Sequence, residues 1–241
     1  MEVYFDIETI PCADRQSFID DARANFKAPS GLTKEQAGKD LGLVGDALKY
    51  ASKDAVIAQW EAAMASTKAD EVGDQNWRKT ALDGTKGRVL SIAHKTEHGS
   101  NVYIGTEAEE IETIQAFYQH LEEDCHDRPP YFIGHNVVFD LKFLFRRSVI
   151  LGIRPPFDLP FKGRHGSDYF CTSQAWCAYG EYISLDNLAT ALGVGGKDGF
   201  DGSMVCDAWL AKEYEKIRDY NLADVLLTEK VHRALTFRKA A

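Results

Sequence analysis

Three short segments of this chain hold carboxylates at spacings suited to one shared centre. The first is Asp6-Ile-Glu8. On a β-strand side chains alternate between the two faces, so residues two apart project together. Two carboxylates on one face among aliphatic neighbours repel each other and lose hydration unless a cation lies between them. The second is Gly134-His-Asn-Val-Val-Phe-Asp140, which follows the apolar run Tyr131-Phe-Ile133. At a strand-to-helix junction Asn136, Phe139 and Asp140 stand three and four residues apart, a spacing that turns them toward one cleft. Asp140 adds a carboxylate, Asn136 an amide, and Phe139 a ring on which a base or sugar can pack. The third is Tyr220-Asn-Leu-Ala-Asp224, where a separation of four sets a phenol and a carboxylate one helical turn apart. Each segment has a plainer reading: a solvated strand end, a first-turn acid beside a core ring, an unremarkable helix face.

The elements that must position these groups follow from pattern and caps. Residues 2–9 are β-branched and aromatic and predict a first strand. Residues 11–80 are rich in Ala, Lys, Asp and Gln; Thr33-Lys-Glu-Gln36 is a capping box, and Ser52 is placed to cap a helix holding Val56, Ile57, Trp60 and Met64. This stretch is expected to be a mostly helical insertion in a single domain spanning 1–241. Strands are expected at Arg88–Ala93 and Asn101–Ile104 around a turn at His98-Gly99, and at Tyr131–Ile133. Helices are expected after the capping box Thr106-Glu-Ala-Glu109, at about 138–151, from Ser184 to a stop at Gly193, near 204–212, and from about 214 to 237, with a Gly-rich loop at 193–202. Strands followed by alternating helices and strands indicate an α/β sheet with helices packed on it.

Composition narrows the class. The chain is 44% hydrophobic and 27% charged, ordinary globular usage rather than a disordered one. No apolar run is long enough to span a bilayer, and Met-Glu-Val-Tyr-Phe-Asp is not a basic leader, so a soluble, unprocessed protein is expected. Five scattered cysteines (Cys12, Cys125, Cys171, Cys177, Cys206), never spaced Cys-x-x-Cys, suit a reducing cytoplasm and argue against a disulfide framework or a zinc knuckle. A net charge of −9 counts against a protein that coats nucleic acid, though not against an enzyme gripping a few nucleotides.

Taken in order, Asp-x-Glu on a first strand, Asn-x-x-Phe-Asp after a middle strand and Tyr-x-x-x-Asp on a late helix resemble the DEDD superfamily of 3′→5′ exonucleases, tyrosine subclass. The likeness is to the exonuclease domains of family B DNA polymerases and their stand-alone relatives. Thr80-Ala-Leu-Asp83 with Gly87-Arg-Val-Leu-Ser-Ile92, and Ser184-Leu-Asp-Asn-Leu-Ala189 with Leu192-Gly193, are similar to further segments of that family; the resemblance covers roughly 1–10 and 80–235. The chain departs from the family at Cys171-Thr172, where many relatives carry Asp-Thr. The histidine subclass is disfavoured because the turn before Asp224 offers Asp219 and Tyr220.

The resemblance implies a ribonuclease-H-like fold, a mixed sheet flanked by helices, and phosphodiester hydrolysis by two divalent cations about 4 Å apart. It implies Asp6, Glu8, Asp140 and Asp224 as ligands, Mg²⁺ or Mn²⁺ as the oxygen-bound ions, Tyr220 as the residue that orients the attacking water, and Thr9, Asn136 and Phe139 as contacts to the terminal nucleotide. The expected substrate is the 3′ end of single-stranded DNA. A 3′→5′ exoribonuclease of the same fold is the alternative within the enzyme class, and a catalytically silent nucleic-acid-binding module the alternative outside it.

Overall fold

A computed structural model describes residues 1–238 except positions 66, 107, 127, 179 and 198. Position 107 of the 106–109 capping segment and position 198 of the 193–202 loop thus lie outside the described residues. The chain divides into two compact units, Met1–Pro11 with Thr80–Ala241, and Cys12–Lys79.

The larger unit is built on a five-stranded mixed sheet: β1 (Glu2–Ile10), β2 (Arg88–Thr96), β3 (Gly99–Ile104), β4 (Tyr131–Gly134) and β5 (Tyr169–Cys171), in the order β3-β2-β1-β4-β5. β1 runs antiparallel to β2 and parallel to β4, so the strand that carries Asp6 and Glu8 is central. Asp6 pairs with Ala93 and Glu8 with Ser91, and the register shifts between Glu8 and Thr9. Three-residue β5 is the strand that sequence pattern did not reveal.

The smaller unit is helical: α1 (Arg15–Ala24), α2 (Lys34–Asp40), α3 (Asp46–Tyr50), α4 (Lys53–Met64) and α5 (Lys68–Lys79). Thr33 and Ser52 cap α2 and α4, their hydroxyls accepting from the Gln36 and Ala55 amides. Ala37, Val56 and Trp60 are its buried centre, while α1 lies against α5 through the Arg23–Asp70 and Arg15–Asp74 ion pairs.

In the larger unit follow α6 (Glu110–Cys125), α7 (Val137–Leu151), α8 (Thr172–Trp176), α9 (Leu185–Ala191), α10 (Val205–Leu210) and α11 (Tyr214–Leu235). The 106–109 segment caps in part: the Glu109 carboxylate accepts the Thr106 amide, and Glu109 rather than Thr106 is the N-cap of α6. The alternation of β1 sorts the two faces. Val3, Phe5 and Ile7 join Ile92, Phe117, Leu121, Leu141 and Leu144 in the main core under α6 and α7. Tyr4 turns the other way, with Ala93, Ile133 and Val225 of α11, and its hydroxyl meets His232 Nδ1 at 3.0 Å. Asp6 and Glu8 share the α11 face with Tyr4.

Candidate active site

Each carboxylate is placed by an element whose local reasons are visible. β1 delivers Asp6 and Glu8 to the face covered by α11, where Asn221 Nδ2 donates to Asp6 Oδ2 at 2.6 Å. Asn221 is itself oriented: its Oδ1 accepts from Ser91 Oγ at 2.7 Å, and Ser91 is the β2 residue facing Glu8. A buried amide with its oxygen and an N–H both engaged has one orientation, so Asp6 is held by a fixed donor.

Asp140 arrives from the turn between β4 and α7. Gly134 is required there, because a Cβ would meet Val137 Cβ at 2.7 Å and the Phe5 carbonyl at 2.9 Å. Asn136, the N-cap of α7, adopts the left-handed conformation (φ 62°), which Asn tolerates. The first turn of α7 then buries Asp140, near enough to Asp6 for the two charges to oppose each other.

Asp224 and Tyr220 lie one turn apart on α11, as their spacing requires. The third participant was not foreseen. Lys197, in the loop after α9, donates from Nζ to Asp224 Oδ2 at 2.6 Å and to the Tyr220 hydroxyl at 2.9 Å, with the ammonium 4.7 Å from the centre of the Tyr220 ring. Asp186 of α9 fixes the loop by accepting the Lys197 amide at 2.7 Å, and Gly195 supplies a φ of +137° that a side chain would resist. Phe200 packs edge-on to Tyr220, ring centres 4.8 Å apart.

The electrostatics of the cluster are those of crowded acids. Burial, first of all, raises the pKa of Asp6, Glu8 and Asp140 well above the ordinary carboxylate range; Asp224 adds to this at Asp6, Asp6 and Asp224 at Glu8, and Asp6 at Asp140. Burial raises Asp224 as well, against the pull of Lys197. Tyr220 is pushed upward by burial and then by Glu8, so its hydroxyl keeps its proton throughout the neutral range.

Oxygens of Asp6, Glu8 and Asp224 lie within 4.8 Å of one another. Asp224 Oδ1 is buried and has no hydrogen-bond partner among the described residues. An all-oxygen donor set with an unsatisfied carboxylate oxygen fits a hard divalent cation. A cleft of about 590 Å³ opens here, lined by Asp6, Asp224, Tyr220 and Lys197 together with Tyr182, Asp186 and Phe200.

His135 also lines the cleft. Its Nε2 lies 2.9 Å from the Ile183 carbonyl, which can only accept, so Nδ1 carries the lone pair toward the Thr172 hydroxyl at 2.8 Å. That histidine ties the start of α8 and the segment before α9 to the end of β4. Its signal was present in Gly134-His-Asn, but a histidine between two motif residues has no periodicity to give it a role.

The contacts expected for a terminal nucleotide are placed differently. Thr9 donates its hydroxyl to the Ala81 carbonyl at 2.7 Å. Phe139 packs against the main core, its ring 5.7 Å from that of Phe143. Asn136, Phe139 and Thr9 do not line the 590 Å³ cleft. Sequence spacing brought Asn136 and Phe139 near Asp140, but the handedness of the junction decides which way each turns.

The sheet order, the helices on both faces and the carboxylates at the centre of β1 define an exonuclease-type α/β fold. A family B DNA polymerase from the hyperthermophilic archaeon Pyrobaculum calidifontis is similar in structure, with a TM-score of 0.51 and 22% identity, over 64% of this chain and 22% of the polymerase. At that identity the likeness is one of fold, and this chain spans less than a quarter of the polymerase's length. No curated protein matches the sequence. Residues 86–237 match the family described as predicted 3′-5′ exonucleases related to the exonuclease domain of PolB, and the chain belongs to that family. Among the described residues no helix is long and apolar enough to cross a membrane.

Proposed function

We propose that this protein is a metal-dependent 3′→5′ exonuclease that removes nucleoside 5′-monophosphates from the 3′ end of single-stranded DNA. The observation that carries the proposal is the convergence of Asp6, Glu8 and Asp224, with Asp140 buried near Asp6, beside Asp224 Oδ1, which has no hydrogen-bond partner among the described residues. Asp6, Glu8, Asp140 and Asp224 would hold Mg²⁺ or Mn²⁺. Bound divalent ions supply charge neutralisation on the phosphate and a lowered pKa for the attacking water.

The protein's own groups do the rest. Tyr220 keeps its proton, so it positions the water by hydrogen bonding rather than acting as a base. Lys197 donates to the Tyr220 oxygen and so sets the direction of that O–H. Asn221 holds Asp6 in place. Water adds to phosphorus, the P–O3′ bond breaks, and the departing oxygen becomes the 3′-hydroxyl of the shortened strand. Tyr182, which is exposed, and Phe200 offer aromatic faces in the cleft wall on which an unpaired base can stack. This favours a single strand over a duplex end. Residues 11–80 are read as an insertion within one exonuclease domain.

Product mapping on 5′-labelled single-stranded DNA and RNA with Mg²⁺ and Mn²⁺ tests the reading. A ladder shortening from the 3′ end on DNA is expected; faster loss from RNA would move the assignment to an exoribonuclease. Tight strand binding without cleavage would leave a silent binding module.

A further inference from the structure

On the opposite face of the sheet from the carboxylates, a second group of metal-type ligands has no part in the reaction above. His94 of β2 points under α6, its ring 5.5 Å from that of Phe117. It is fully buried, and among the described residues neither ring nitrogen has a hydrogen-bond partner. An imidazole buried without any partner is costly, on the order of 1–3 kcal/mol for each unmet polar group. Beside it stand His120 and Asp124, one turn apart on α6; a nitrogen of each histidine and a carboxylate oxygen lie within 4.8 Å of one another.

The surroundings prepare these atoms to receive a cation. Asn101, the β3 residue paired with His94, places Nδ2 3.1 Å from His120 Nε2. An amide N–H can only donate, so His120 Nε2 carries a lone pair, which a cation would take in place of the Asn101 amide. That lone pair lies 3.8 Å from Asp124 Oδ2, two electron-rich atoms facing one another. Thr96, two residues after His94 on β2, donates to the same carboxylate oxygen at 2.8 Å and fixes it. The Tyr103 ring stacks on that of His94, centres 5.9 Å apart, and its hydroxyl is also buried and unpaired among the described residues. Neutral imidazole is the ligand form.

We propose that His94, His120 and Asp124 form a second metal site, for a borderline divalent ion of the zinc class, which staples α6 to β2. Two imidazole nitrogens and one carboxylate oxygen select such an ion over Mg²⁺, whose preference is for oxygen alone. Bonds of about 2.0–2.2 Å draw ligand atoms to roughly 3.4 Å of one another, so each side chain moves by less than about 1 Å. The fourth position is open to water or to the Tyr103 hydroxyl. His120 is partly exposed and provides the way in. The site is independent of the exonuclease reading, and it would stand if that reading failed.

The test uses the full chain carrying Asp6→Asn and Asp224→Asn, so that the carboxylate cluster does not compete for the ion. Stripped protein is titrated with Co²⁺ and then with Zn²⁺. One equivalent of Co²⁺ should bind with the visible absorption of a four- or five-coordinate N/O site, and Zn²⁺ should displace it. Saturating Zn²⁺ should raise Tm by roughly 5–10 °C. His120→Ala in the same background should weaken binding by at least about a hundredfold, since a lost ligand costs more than a lost outer partner. Asp124→Asn, a near-isosteric change, is the second variant should His120→Ala fail to fold. His120→Ala in the otherwise wild-type chain should leave Mg²⁺-dependent activity unchanged. Absence of a one-equivalent binding step, or a step that survives both substitutions, overturns the proposal and leaves a buried water as the partner of His94.

Discussion

Lys197 Nζ lies 2.6 Å from Asp224 Oδ2, an ion pair between a loop residue and a helix residue that no sequence motif joins. Both side chains are largely buried, at 17% and 9% exposure. The ammonium therefore offsets charge in a cluster that otherwise holds acids at close quarters. Lys197→Met should lower kcat by about a hundredfold, the scale of one lost charge-stabilising donor. It should also cost on the order of 1–3 kcal/mol of stability, because Asp224 is left buried with less compensation. The stability loss should be greater in EDTA than in Mn²⁺, where bound cations replace the missing charge. Equal losses in both conditions would show that Lys197 acts through packing alone.

Metal dependence follows from the all-oxygen cluster. Activity should vanish in EDTA and return with Mg²⁺ or Mn²⁺, while Ca²⁺, with its looser geometry, should support little turnover. Asp224→Ala should abolish cleavage with the far-ultraviolet circular dichroism unchanged. Full activity after exhaustive chelation ends the account.

Tyr220→Phe keeps the ring against Phe200 and removes only the hydroxyl. A lower kcat with nearly unchanged DNA affinity and Tm is expected from steady-state kinetics and thermal melts. Unchanged kcat would remove Tyr220 from the reaction.

The stability of the metal-free protein should respond to pH through Glu8. Its folded pKa is raised well above the model-peptide value, by burial and then by Asp6 and Asp224. Between the unfolded and folded values the native state holds a proton that the unfolded chain has released, so stability falls as pH rises through that window. Glu8→Gln, a mimic of the protonated form, should give little gain in Tm in EDTA near pH 4 and a growing gain toward pH 8. A gain independent of pH would mean that charge on Glu8 is not the cause.

Substrate form gives the last test. Opening a duplex end costs about 1–2 kcal/mol of stacking per base-pair step, so single-stranded DNA should be degraded several-fold faster than blunt duplex. A 3′-phosphate should slow the reaction by adding charge at the strand end. Rates at low substrate should fall only gently with salt, as few phosphates are gripped by an acidic protein. Internal cuts in circular single strands would mean an endonuclease instead.

What was legible beforehand, and what was not, divides along the range of the forces involved. Asp6 with Glu8, and Tyr220 with Asp224, are fixed in relation to one another by strand and helix geometry alone, so two-residue and four-residue spacings sufficed to pair them. Ser184 was readable as a cap because its bond, to the Asn187 amide, is local. The sequence by itself therefore determined the α/β class, the order of most elements and the pairing of neighbouring acids such as Asp6 and Glu8, which the fold groups with Asp224. Only the tertiary structure decided what crosses between elements. Asn221 reaches Asp6 over 215 residues of chain. Lys197 sits in a loop without periodicity, aimed by one hydrogen bond to Asp186. Phe139 turns into the core rather than into the cleft, and His94 meets His120 and Asp124 only because α6 lies across β2. Such meetings depend on how sheet and helices pack, and packing is set by the summed burial of many side chains rather than by any short run of sequence.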